Sequence, residues 1–165
     1  MPILFSFVML TAMILCMSVT NRFYYSKIKG RFAVDEIPIG FNLLRASSFI
    51  AWGLLISKIP GVFFEVTEIL KMSTTGMDLL MMQGIYFSVF LSICIASFVI
   101  IAWIASILHS VFLKGSSMIE AAVLNRTSGS ILFLGIQLGM SLVTAELLPY
   151  LFNMFVSRPN VPMFN

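Results

Sequence analysis

Residues 79–113 read LLMMQGIYFSVFLSICIASFVIIAWIASILHSVFL and contain no aspartate, glutamate, lysine or arginine. As a single α-helix this run of about 35 residues would be about 50 Å long, whereas the hydrocarbon core of a bilayer is about 30 Å thick. No glycine, proline or charge interrupts it after Ile85, so it does not divide into two crossings. We therefore predict one long or tilted membrane helix over residues 80–113, and His109 and Lys114 mark its emergence from the bilayer.

The whole chain has this apolar character. Of its 165 residues, 59% are hydrophobic and 10% are charged, whereas an average soluble domain is about 25% charged. Further apolar runs cover residues 2–20, 39–57 and 127–148. No basic residue precedes the first run and no small-residue cleavage site follows it, so we interpret it as a membrane helix and not as a signal peptide. We predict a single all-α transmembrane domain, residues 1–165, with four membrane helices at about 2–20, 39–57, 80–113 and 127–148.

A fifth helical segment differs from these four. Pro60-Gly61 indicates a turn, and residues 62–72 then read VFFEVTEILKM. The apolar residues follow helical spacing, while Glu65, Glu68 and Lys71 share the opposite face. This pattern is typical of a short amphipathic helix lying in the membrane interface.

The distribution of lysine and arginine predicts the orientation. With four crossings, the turns around residues 22–45 and 114–126 lie on one side of the membrane. Seven basic residues fall there: Arg22, Lys27, Lys29, Arg31, Arg45, Lys114 and Arg126. The other side holds Lys58, Lys71 and Arg158. Because basic residues concentrate in cytoplasmic loops, we expect the first set to be cytoplasmic and both termini to be periplasmic or extracellular.

The two cytoplasmic turns resemble each other. One contains Lys29-Gly30, then Glu36, Asn42 and Arg45, and the other contains Lys114-Gly115, then Glu120, Asn125 and Arg126. Small residues and a glycine follow in both. The spacing predicts two parallel two-helix repeats related by an axis along the membrane normal; the alternative is a chance likeness of short polar turns.

These turn segments resemble the YjfL-like family. The resemblance covers FYYSKIKG and the following residues to about 56, and more weakly residues 114–140; it departs at Leu43-Leu44, where the family has small residues after the asparagine. The family consists of small bacterial inner-membrane proteins built from two two-helix repeats, and no biochemical function is known for it. The resemblance implies four helices and a bacterial inner membrane, and it implies no activity.

Arg45 lies about one turn inside the second predicted membrane helix. One interpretation is that its side chain extends to the cytoplasmic interface. The other is a polar cluster, since an ionisable residue within a membrane segment suggests a functional site. The cluster would contain Glu36, Asn42, Arg45, Glu120, Asn125 and Arg126. Together with the remaining basic residues of the turns, these side chains would face a soluble partner or lipid headgroups.

The last membrane helix contains Gly135-x-x-x-Gly139, and small residues at this spacing let two helices approach closely. Ala102, Ser106 and Ser110 offer a small-residue surface on the preceding helix. The contact could lie between copies of the chain or within one copy. Gln137 would hydrogen-bond to another helix or line a pore. Glu146 and His109 lie near the ends of their predicted helices, and no second acidic residue at depth would continue a proton path from Glu146.

No phosphate-binding loop, nucleophile constellation or metal-ligand spacing is visible, and Cys16 and Cys94 both lie in apolar runs. We therefore expect no enzyme activity, no metal, no cofactor and no direct nucleic-acid binding. The leading hypothesis is an oligomeric membrane anchor or sensor subunit with a cytosolic protein partner, for example in bacterial stress response or phage defence. The alternative is a subunit of a small oligomeric channel or transporter, with Gln137, Ser92 or Ser141 lining a central path.

Overall fold

The computed structural model describes residues 2–31, 38–115, 117–124 and 127–156. These residues form helices and turns without any strand, which confirms the all-α prediction. The helices are α1 (Pro2–Arg31), α2 (Ile39–Ile56), α3 (Ile59–Ser73), α4 (Gly76–Phe112), α5 (Met118–Val123) and α6 (Thr127–Met154).

Four segments of these described residues are long and apolar enough to cross a membrane. They are Phe7–Lys27, Ile39–Met72, Gly76–Phe112 and Thr127–Met154. Their number agrees with the four crossings predicted from the sequence. The second segment includes α3 as well as α2. Helix α3 covers the region predicted as a separate helix, and its position in the interface stays a prediction.

Contacts along the bundle fix the helix directions. A Cβ on Gly40 would lie 2.7 Å from Ser130 Oγ, and further along the same two helices Ser47 hydrogen-bonds to Gln137. The contacts advance together, so α2 and α6 are parallel. The Trp52 indole donates to Thr20 Oγ1 of α1 and stacks on Phe98 of α4. Further along α2, Gly53 faces Met13 of α1 and the Leu55 carbonyl accepts from Cys94 of α4. Residue numbers on α1 and α4 therefore fall as those on α2 rise, so both helices are antiparallel to α2.

This register bears on the predicted repeats. Residues of α2 and α6 that meet are 90 positions apart in the sequence, as in the Ser47–Gln137 pair, whereas the similar turns are offset by 83, as in Asn42 and Asn125. A repeat axis along the membrane normal would place equivalent residues at equal heights, so the two offsets would have to be the same, and they differ. The helix directions do fit two antiparallel pairs, and the repeat itself stays a prediction.

Two helices are longer than predicted. Helix α1 continues past residue 20 to Arg31, because lysine and arginine are good helix formers and do not end a helix. Helix α6 continues through Pro149 to Met154. Proline removes one backbone hydrogen bond, but the turn beyond it is held by Phe152, which is fully buried and stacks on Phe90 at 4.6 Å between ring centroids.

The break between α2 and α3 lies at Ser57 and Lys58. Pro60 has no N–H to donate to the carbonyl of Ile56, so the regular ladder cannot continue through this point. Ser57 keeps a right-handed conformation and its N–H donates to the Gly53 carbonyl. The chain therefore bends here without reversing. Helix α3 then buries Ile59, Val62, Phe63 and Val66 in the core formed with α2, α4 and α6.

At the opposite end of the bundle, α4 stops at a left-handed turn. Lys114 has φ 53° and Gly115 has φ 90°, and the Gly115 N–H donates to the Ser110 carbonyl at 2.8 Å. Helix α5 follows, and the hydroxyl of Ser117 caps it by accepting from the Glu120 N–H at 3.1 Å. The break predicted at Lys114-Gly115 is present, and it brings α5 beside the first turns of α2 and α6.

Candidate functional site

The end of the bundle where α1 and α4 end and α2 and α6 begin is here called the basic end. Lys27 and Lys114 are exposed there, as are Asn42 and Glu120. Arg22 is also exposed, but it lies about 14 Å before the end of α1. Lys27 lies over the ring of Phe23, with 5.5 Å from Nζ to the centroid. Glu36, Asn125 and Arg126, and the side chains of Lys29 and Arg31, fall outside the described residues. The structure thus places four of the predicted surface residues at one end.

Arg45 is half-buried on α2, and its guanidinium lies over the rings of Phe41 and Phe49, at 5.7 and 6.0 Å from their centroids. Its Nε is buried without a hydrogen-bond partner, and no described carboxylate forms an ion pair with it. Contact with aromatic faces stabilises a cation where water is scarce. The part of the predicted polar cluster that can be described, Asn42 and Glu120, is exposed and does not bind Arg45.

Gly135 and Gly139 lie on the outward face of α6. At both positions an added Cβ would have no atom of the described residues within 4 Å, apart from its own neighbours in the helix. They therefore do not mediate packing within one copy, which was one of the two interpretations of this motif. The small residues predicted to oppose them on α4 point elsewhere, since Ala102, Ser106 and Ser110 are half-buried within the bundle.

A polar seam is buried between α2 and α6. Ser47 Oγ donates to Gln137 Oε1 at 2.7 Å, and both side chains are fully buried. Gln137 Nε2, Ser141 Oγ and Ser130 Oγ are buried on the same side of α6 without a hydrogen-bond partner. Gln137 thus joins two helices of a single copy. A central path between copies, as the channel hypothesis requires, would not meet Gln137 or Ser141.

His109 also lies inside the bundle. It is fully buried, and its Nε2 lies 3.1 Å from the Gly129 carbonyl at the start of α6. A Cβ on Gly129 would lie 3.5 Å from the same nitrogen and 3.1 Å from Ala121 Cβ. The histidine therefore ties α4 to α6 beside α5, and this contact places it in the core and not at an exposed interface.

The sequence interpretation missed an ion pair at the helix break. Lys58 Nζ lies 2.7 Å from Glu146 Oε1, and the side chains are 31% and 77% exposed. Lys58 is about 4 Å from the midpoint of the span Ile39–Met72, and Glu146 is about 8 Å from the midpoint of Thr127–Met154, at 1.5 Å per residue. The sequence placed both residues near helix ends, because Pro60 and Pro149 were each taken to end a helix. A mid-span charge of each sign was the signal that could have revealed the pair.

Beside the same break is an apolar groove of about 350 Å³ between α1 and the α2–α3 bend. Its lining residues are Met9, Leu10, Met13, Gly53, Ile56, Ser57, Pro60 and Phe64. Helix α1 is held to α2 nearer the basic end by the Trp52–Thr20 hydrogen bond at 3.0 Å and by the buried ring of Tyr24.

Within the described residues, no group of three or more histidine, cysteine, aspartate or glutamate side chains could hold a metal ion. The Cys94 thiol is fully buried and donates to the Leu55 carbonyl at 3.5 Å. This arrangement makes Cys94 a packing residue on α4.

No protein-family model matches the sequence, and comparison with curated proteins and with solved structures gave no significant match. The likeness of the two turns to the YjfL-like family therefore stays a prediction.

Proposed function

We propose that this chain is a non-enzymatic membrane subunit that associates with copies of itself through the outward face of α6. The observation that carries the proposal is the open surface at Gly135 and Gly139, where an added Cβ would meet no described atom within 4 Å beyond the adjacent turns of α6 itself. Apolar side chains gain little by leaving lipid for protein, so membrane helices associate where small residues allow close backbone contact. Two such residues one turn apart on an exposed face fit this role.

In the proposed orientation the basic end is cytoplasmic and both termini are periplasmic or extracellular, in a bacterial inner membrane. The seven basic residues assigned to this end, against three elsewhere in the sequence, support it. Lys27 is exposed there and would meet a cytosolic protein or anionic headgroups. Arg22 is exposed further back on α1, and its long side chain would extend to the same interface. The predicted interfacial position of the polar face of α3 belongs to the same proposal: Glu68 and Lys71, towards the far end of α3, would lie in the interface on the opposite side of the membrane.

Self-association is tested with fluorescently labelled protein reconstituted in liposomes at low protein-to-lipid ratio. Energy transfer between copies is expected for the natural sequence and for Gly61→Leu, because Gly61 is another exposed helical glycine with nothing within 4 Å of its Cβ position. Gly135→Leu and Gly139→Leu are expected to abolish the transfer. A natural chain that shows no transfer above a non-interacting membrane protein would rule the proposal out.

The role of the basic end is tested by exchanging Arg22 and Lys27 for glutamine. A cytosolic protein that copurifies with the natural chain after mild extraction is expected to be lost from this variant. It should be retained by Lys71→Gln, because Lys71 lies on α3 away from the basic end. If Arg22 and Lys27 can be neutralised without effect on copurification or on binding to anionic vesicles, the basic end has no such role.

The second candidate function is a channel or transporter subunit. It is favoured by the buried seam, because Gln137 Nε2 and the hydroxyls of Ser130 and Ser141 are buried polar atoms without a partner, and such groups within a membrane segment often mark an ion or substrate path. The path would run through one copy between α2 and α6. Ion flux into liposomes that is lost in Gln137→Leu would support this candidate. If neither protons nor any of the common monovalent ions cross the liposome membrane, the candidate is eliminated.

A further inference from the structure

The Lys58–Glu146 ion pair has an unusual position for an exposed pair. Both residues lie within about 8 Å of the midpoints of their candidate spans, and half the hydrocarbon thickness is about 15 Å. The neighbouring helix α4 supports this depth, since Cys94, at the midpoint of the span Gly76–Phe112, donates to the carbonyl of Leu55, which is at the midpoint of the span Ile39–Met72. The pair therefore lies at hydrocarbon depth.

At that depth the exposure of the pair requires a covering group. The Glu146 side chain is 77% exposed, and a carboxylate facing lipid chains is costly even when one of its oxygens is paired. Lys58 contacts Oε1, which leaves half of the carboxylate open to the surroundings of the copy. Burial against protein that supplies opposite charge removes this cost.

The open carboxylate lies on the face that carries the two glycines. Eleven residues separate Gly135 from Glu146, which at 3.6 residues per turn is three turns and about 20°. Gly139 lies about 20° to the other side. Glu146 is therefore in line with the glycines, about 10 Å along the helix from Gly139, and a neighbour that contacts the glycines would also cover the ion pair.

Copies inserted with the same orientation place the same residues at the same height. In a contact with two-fold symmetry along the membrane normal, Glu146 of one copy faces Glu146 of the other. Two carboxylates alone would repel each other. Lys58 Nζ lies 2.7 Å from the Glu146 carboxylate of its own copy, so the face carries adjacent positive and negative charges, and such a face is complementary to itself.

We propose that the Lys58–Glu146 pair is one half of a four-charge site that is completed by the same pair from a second copy. The occupant of this face is thus a second copy of the chain, and Lys58 of each copy shields its own carboxylate from that of the other and reaches the open oxygen across the contact. The inference rests on the proposed self-association through α6. At that contact the Lys58–Glu146 pair is the group that favours a second copy over another partner.

The test uses two charge-reversal variants in the full-length chain. Glu146→Lys presents two cations on this face, and Lys58→Glu presents two carboxylates. Each variant alone is expected to self-associate about tenfold more weakly than the natural chain, or worse, because like charges meet. An equimolar mixture of the two, labelled as donor and acceptor, is expected to recover energy transfer, because two cations then face two carboxylates. A pair that acts only within one copy gives no recovery on mixing, and that result would overturn the proposal.

Neutral variants cover the case in which a reversed charge prevents insertion. Lys58→Met leaves two facing carboxylates and is expected to weaken association, whereas Lys58→Met combined with Glu146→Leu removes every charge and should restore it. Equal association of the two would overturn the proposal. The exposed Glu68–Lys71 pair on α3, 2.6 Å apart, gives the matched control, since reversing it should change nothing.

These results separate the two proposals. If the natural chain does not associate, the proposed function fails. If it associates and Gly139→Leu abolishes the association, but mixing the reversed variants restores nothing, only the four-charge site fails.

Discussion

The hydroxyl of Ser47 donates a 2.7 Å hydrogen bond to the side-chain carbonyl of Gln137, across the α2–α6 contact. Both side chains are fully buried, while the amide nitrogen of Gln137 has no partner. The pair therefore satisfies one end of the glutamine and leaves the other unsatisfied.

This asymmetry predicts different outcomes for the two partners. Ser47→Ala leaves the whole Gln137 amide buried without a partner and should destabilise the fold by about 1–2 kcal/mol. Gln137→Leu removes both the bonded carbonyl and the unsatisfied nitrogen, so its cost should be smaller. Thermal unfolding in detergent, followed by circular dichroism, measures the order. A larger loss for Gln137→Leu than for Ser47→Ala would contradict it.

A second prediction concerns the contact where α2, α5 and α6 begin or meet. An added Cβ on Gly40 would lie 2.7 Å from Ser130 Oγ, 2.8 Å from the Ala122 carbonyl oxygen and 2.9 Å from Ala122 Cα. Backbone atoms of α5 cannot yield as a side chain can, so Gly40→Ala should cost about 1–3 kcal/mol through overpacking. The measurement is the same thermal unfolding.

Gly84→Ala is the matched control for this substitution. Gly84 is also inside a helix, and an added Cβ there would meet nothing within 4 Å. Its stability should stay within about 0.5 kcal/mol of the natural chain, or rise, because alanine is the better helix former. Equal effects at the two glycines would show that α5 does not pack as tightly against α2 as the structure has it.

A third prediction tests how α1 is held. Trp52 Nε1 donates to Thr20 Oγ1 at 3.0 Å, and Thr20 itself donates to the Cys16 carbonyl one turn earlier. Thr20→Val keeps the shape and removes the acceptor, so α1 should separate from α2 more often. Labelling of the half-buried Cys16 by a membrane-permeant maleimide should then be several-fold faster.

Cys94 gives an internal control for this labelling. It is fully buried between α4 and α2, away from the α1 contact, so its labelling rate should not change in Thr20→Val. Faster labelling of both cysteines would indicate general unfolding and not release of α1.

The number of helical segments long and apolar enough to cross a membrane could be predicted from the sequence, because it depends on the length of apolar runs. The run at residues 79–113 has no charge to interrupt it, and the structure makes it a single helix from Gly76 to Phe112. The glycine motif was also visible, since its spacing is local. Whether Gly135 faces another helix of the same copy depends on the rotation of α6 in the bundle, and the local pattern does not determine that rotation.

The site at Lys58 and Glu146 was missed for a related reason. Each residue has a proline two or three positions beyond it, and a proline is a common mark of a helix end. Helix continuation past Pro149 depends on Phe152 stacking on Phe90, a contact between residues 62 positions apart in the sequence. Once both helices continue, the two charges move from the predicted membrane boundary to mid-span, and their pairing follows from the parallel packing of α2 and α6.

The last prediction concerns Pro60, which interrupts the second span. Pro60→Ala supplies the N–H that the Ile56 carbonyl lacks and removes the clash of the proline ring, so α2 and α3 should join into one straighter helix. Spin labels at Ile39 and Met72, both exposed at the two ends of this span, report the change. A straight helix over these 33 steps is about 50 Å long, so the measured distance should increase towards that value. An unchanged distance would mean that packing of Ile59 and Phe63 in the core, and not the proline, sets the bend.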